Sequence, residues 1–218
     1  MKFNDMKVEE RIKEITKLYL EVRKLMLYAD EIHPEKKTFI PPINEIRNAF
    51  DHLMRVFAVK FELKTASEED YINNNLDRVF GHVYRAAFDL LDYISICLRD
   101  KFLDEIDGIS TEALNAVFPE YYQKIRPDIE KASTEMSDFR SRKYISCPKI
   151  DDVIKYAEII ERLKSHLNKI LEIKPSLIAY EERKKKKEVK KSKFFEILIY
   201  IAIAIVSGVM GAVLRSYF

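Results

Sequence analysis

Apolar side chains along this chain recur at steps of three and four, the spacing that stacks them on one face of an α-helix. Val8, Ile12, Ile15, Tyr19, Val22 and Met26 step by 4, 3, 4, 3, 4 and predict a first helix to about Asp30, capped by Asn4 or Asp5. Pro42 at a first helical position opens a second helix to about Leu63, with Ile43, Ile46, Phe50, Leu53 and Phe57 on its apolar side. Thr65, Ser67, Glu68 and Asp70 offer caps for a third, long helix to about Ile106. Its seam reads Leu76, Val79, Val83, Ala87, Leu90, Ile94 and Cys97.

Residues 110–144 are less regular. Pro119 and Pro127 break them into short helices, the best turn spacing being Ile129, Ala132, Met136 and Phe139. A fifth long helix starts near Ile150 and carries Val153, Ala157, Ile160, Leu163, Leu167 and Ile170 as far as Pro175. No useful alternating strand pattern is present. The expected fold is all-α, an up-and-down bundle of four or five helices with a C-terminal single transmembrane helix.

Composition narrows the function. The 218 residues include four Gly and no Trp, and only Gly81 and Gly108 precede Lys193. Phosphate-cradling loops and turn-rich β folds need more glycine than that, which excludes P-loops, Rossmann units and sandwiches. Cys97 and Cys147 are too few for a disulfide framework or a zinc site. No HExxH, CxxC, GxSxG or EF-hand pattern appears, so no metal and no cofactor are expected.

The net charge of +2 hides a segregation. Arg183, Lys184, Lys185, Lys186, Lys187, Lys190, Lys191 and Lys193 precede an uncharged run from Ile197 to Leu214. Eighteen apolar residues are about 27 Å of helix, so a membrane span over 194–214 is expected, followed by a short tail at 215–218. The excess of cations before it places the N-terminal part in the cytosol. The expected organisation is a bundle at 1–178, a basic stalk at 179–193 whose lysines meet anionic lipid headgroups, and the tail anchor. Ala204, Ser207, Gly208, Gly211 and Ala212 repeat small residues at four-residue spacing, a helix-packing pattern in lipid that points to a homo-oligomer. Residues 1–182 carry 29 basic and 34 acidic residues, a balance that argues against a nucleic-acid-binding body.

One polar constellation stands out. Asn44, Arg47, Asn48, Asp51, His52 and Arg55 share one side of the second helix, and Arg78, His82, Arg85, Asp89 and Asp92 oppose the seam of the third. In an antiparallel hairpin turning near Ala66, His52 and His82 come to nearly the same height. An ordinary solvated face with i,i+4 ion pairs accounts for the same pattern.

The run Arg47-Asn48-Ala49-Phe50-Asp51-His52 resembles the signature of HEPN domains, helical bundles whose motif joins an arginine to a histidine four to six residues on. The resemblance implies a metal-independent ribonuclease built by two protomers, with Arg47 as phosphate clamp, His52 as proton-transfer group and Asn48 as orienter. It also implies a possible place in toxin or antiviral systems. Three functions are therefore carried forward: a membrane-bound, self-associating interaction or effector module, a tethered ribonuclease with RNA as substrate, and an effector that perturbs the bilayer.

Overall fold

A computed structural model describes residues 6–35, 37–64, 68–141, 143 and 148–217, and the side chains of these as far as 208 and at 210, those at 68 and 69 excepted. The expected caps Asn4, Asp5, Thr65 and Ser67, the turn at Ala66 and Cys147 lie outside the described residues. Six α-helices and one π turn make up the described secondary structure: α1 (Met6–Ile32), α2 (Ile40–Lys60), α3 (Glu68–Ile106), α4 (Thr111–Val117), a π turn at Tyr121–Ile125, α5 (Arg126–Ser141) and α6 (Ile150–Tyr217). Among the described residues there is no strand.

The chain forms two compact units, 1–107 with 123–170, and 108–122 with 171–218. The first is organised around α3. Both α1 and α2 pack along it, and α5 touches it. All seven residues of its expected seam are buried, and so are Phe80, Tyr84, Phe88, Leu91 and Leu98 on its other faces. A helix covered on several sides has no single apolar stripe, which is why the seam alone understates its burial. Leu18 and Val22 of α1, Ala132 and Met136 of α5, and Tyr156, Ile160 and Leu163 of α6 complete this core.

The apolar side expected to bury α2 does not do so. Pro42, Ala49, His52, Val56 and Val59 are the residues it buries, whereas Ile43 and Phe50 stay 37% and 59% exposed. Helix α2 is rotated so that its small and branched residues meet α3, and its larger side chains point away.

In the second unit, Ser110 caps α4 by accepting from the Ala113 N–H at 3.2 Å. Its own N–H donates to Glu181 at 2.8 Å. Hydrogen bonds from the Ser110 side chain and backbone N–H hold the Glu181 carboxyl below its ordinary pKa. Helix α6 does not stop at Pro175. It continues through it to Tyr217, although an interior proline removes one backbone hydrogen bond.

The expected membrane helix is not supported: among the described residues, no helix is long and apolar enough to cross a membrane. Part of the 194–214 segment lies outside the described side chains. The single-pass placement with a cytosolic N-terminal part is corrected accordingly. Ala204, Ser207 and Gly208 are exposed, while Gly211 and Ala212 fall outside the described side chains. Lys184 pairs with Glu112 at 2.5 Å, and Lys185, Lys186, Lys187, Lys190 and Lys191 are exposed.

Candidate functional site

The polar residues on the facing sides of α2 and α3 form a cluster with a definite wiring. Helix α2 starts after an extended Phe39, with prolines in its first turn, where their missing N–H groups cost nothing. From there Glu45 and His52 lie two turns apart on one face, as Asn75 and His82 do on α3. Because the helices run antiparallel, the pairs cross. His52 Nδ1 lies 2.9 Å from Asn75 Oδ1, and His82 Nδ1 lies 2.7 Å from Glu45 Oε2. The two imidazole rings stack with centroids 5.4 Å apart.

The hydrogen bonds set the tautomer of His52. Asn75 Nδ2 donates to the Tyr71 carbonyl at 2.8 Å, so its Oδ1 must face the histidine and accept. The neutral ring of His52 therefore carries its proton on Nδ1 and its lone pair on Nε2. Around His82 the wiring is a choice. Glu45 Oε2 and Arg85 Nη2 both lie 2.7 Å from Nδ1. As an N–H that nitrogen donates to the carboxylate; as a lone pair it accepts from the guanidinium. Arg85 Nε also donates to Glu45 at 3.1 Å, so Glu45 stays bonded in either state. Lys64 Nζ donates to Tyr71 Oη at 3.0 Å, at the end of α2, and this holds the phenol below its ordinary pKa.

The structure thus joins His52, His82 and Arg85 and adds Glu45 and Asn75. Their signal was available, since each stands seven residues before a histidine on the same helix face. Asn48 is half-buried on the same side of α2. Arg47 and Arg78 are exposed, and Asp51 pairs outward with Arg55 at 2.7 Å. Arg47 lies about 140° around α2 from His52, so within one chain the two do not converge.

Two further polar hubs occur in the first unit. Asp92 Oδ1 accepts from Arg140 Nε at 2.8 Å and Tyr156 Oη at 2.6 Å, and Arg140 Nη2 donates to Ser95 at 2.9 Å. Burial, with the Asp92 carboxylate beside it, raises the Tyr156 phenol well above its ordinary pKa. Asp128 binds His166 Nε2 at 2.7 Å and Arg162 Nε at 3.2 Å. His166 of α6 is thereby tied to α5. No group of three or more metal-binding side chains occurs among the described residues.

No family model matches the chain, and no curated protein or solved structure matches it either.

Proposed function

We propose that this chain is a helical interaction module that works by binding a second copy of itself. One observation carries the reading: α2 and its C-terminal cap Phe61 present Ile43, Phe50, Met54 and Phe61 to solvent, exposed by 37%, 59%, 39% and 59%. Isolated exposed apolar residues are ordinary, but a contiguous apolar stripe on a helix marks a surface that another molecule covers. The expectation of a homo-oligomer stands on this stripe, independently of any membrane contact. The motif resemblance extends the reading to a defence system. Light scattering of the full chain tests it, with Phe50→Asp as control. A concentration-dependent dimer lost in the variant is the expected result; a wild-type monomer at every concentration overturns it.

A second reading has its own support. A histidine with a fixed Nδ1–H, a free Nε2 lone pair and a second imidazole beside it is equipped to move protons near neutral pH. Together with the Arg47 to His52 motif this favours a metal-independent ribonuclease. Unstructured RNA is incubated with the protein in EDTA, beside Arg47→Ala and His52→Ala. Cleavage by wild type alone establishes the enzyme, and intact RNA in every reaction removes it.

A further inference from the structure

We infer that two copies meet through α2 lying antiparallel on its counterpart across a two-fold axis, with Arg47 of each copy against Asp51 of the other. The inference rests on the self-association reading above and specifies its geometry.

Three observations lead to it. The outward face of α2 carries Ile43, Arg47, Phe50, Met54, Phe57 and Phe61 at steps of 4, 3, 4, 3, 4, the spacing with which one helix seats along another. Next to it, α1 and α2 both lean on α3 and leave an apolar groove of about 260 Å³, lined by Ile15, Tyr19, Ile46, Phe50 and Leu53 among others. The groove widens the apolar strip on the side away from the charges.

The charges select the occupant. Arg47 and Asp51 stand one turn apart on the opposite rim of the strip, both exposed. Among the described residues Arg47 has no ion-pair partner, while Asp51 is held only by Arg55 on its own exposed face. In an isologous contact residue i meets j and j meets i. A two-fold axis beside Phe50 therefore forms two Arg47–Asp51 pairs at once. A parallel arrangement in register would set Arg47 against Arg47 and Asp51 against Asp51. A strip that is apolar at its centre and carries one charge of each sign on its rim is complementary to itself.

Charge reversal in the full chain tests this, with dimerisation followed by sedimentation equilibrium and helicity by circular dichroism. Arg47→Asp and Asp51→Arg are each expected to weaken dimerisation by at least about tenfold, and the double reversal to restore it to within about threefold of wild type. Arg55→Ala removes the partner of Asp51 within the chain and is expected to leave the dimer intact. If wild type dimerises while the single reversals change nothing, or the double reversal fails to rescue, the antiparallel α2 contact is wrong and self-association stands on another surface. If wild type is monomeric, the underlying reading fails instead.

Discussion

His52 and His82 stack ring on ring at 5.4 Å between α2 and α3, and each is tied to the helix opposite. The crossing of these bonds locks the register of the two helices. A slide of one helix along the other by a turn would break both bonds at once and leave buried polar atoms without partners. Unpaired buried groups are costly, so this small cluster specifies which height of α2 meets which height of α3.

Asn75→Ala is therefore expected to destabilise the protein by about 1–3 kcal/mol, because the buried His52 N–H loses its acceptor. Urea denaturation measures it. Adding His52→Leu to Asn75→Ala should cost less than the sum of the two single changes, and strict additivity would show that the bond does not couple them.

Asp92 is expected to be the most sensitive polar residue of the bundle. One carboxylate oxygen serves Arg140 and Tyr156. Asp92→Ala takes the shared acceptor from the buried Tyr156 phenol and leaves Arg140 only Ser95, a loss of about 2–3 kcal/mol. A thermal melt little changed from wild type would reduce the hub to a surface ion pair.

Glu62 closes α2 with φ of 57°. Its N–H reaches the Val59 carbonyl at 3.0 Å, and the Leu63 N–H reaches Ala58 at 2.8 Å. This left-handed position favours glycine, which lacks the Cβ that clashes there. Glu62→Gly should raise stability by about 1 kcal/mol, the strain of a side chain in this region outweighing the added freedom of the unfolded chain. A lowered denaturation midpoint would refute the argument.

Burial, with Glu161 and Glu31 nearby, pushes the Tyr28 phenol from 10.0 up to about 12. The folded state holds this proton more tightly than the unfolded one. Its contribution is complete below the unfolded pKa and is lost as pH rises through the folded one, from 10.0 to about 12. Tyr28→Phe should lose less stability than wild type across that window, and parallel curves for the two proteins would exclude Tyr28 as a source.

How much of this was legible in the residues differs by element. The seam of α3 and the apolar positions of α6 read correctly, because each repeats over many turns and a rotation error would expose several large side chains together. The height of His52 relative to His82 followed from counting residues back from the turn. The rotation of α2 did not follow. Its richest apolar side and its buried side differ, and periodicity reports only the first. Pro175 misled for a related reason, since a proline's local preference to end a helix yields where the residues beyond it continue in helical form. The membrane reading took an uncharged run as sufficient, while among the described residues no helix is long and apolar enough to cross a membrane. Glu45 and Asn75 went unread as partners because neither belongs to a motif, although each stands seven residues before a histidine on the same helix face.

Enclosure of α3 by its neighbours has a consequence for how the first unit comes apart. Leu90, Leu91 and Ile94 are at most 1% exposed, so solvent reaches their amides only after the surrounding helices have lifted away. Deuterium should enter the middle of α3 last, at the rate set by complete unfolding, while α2 can detach and take up label earlier.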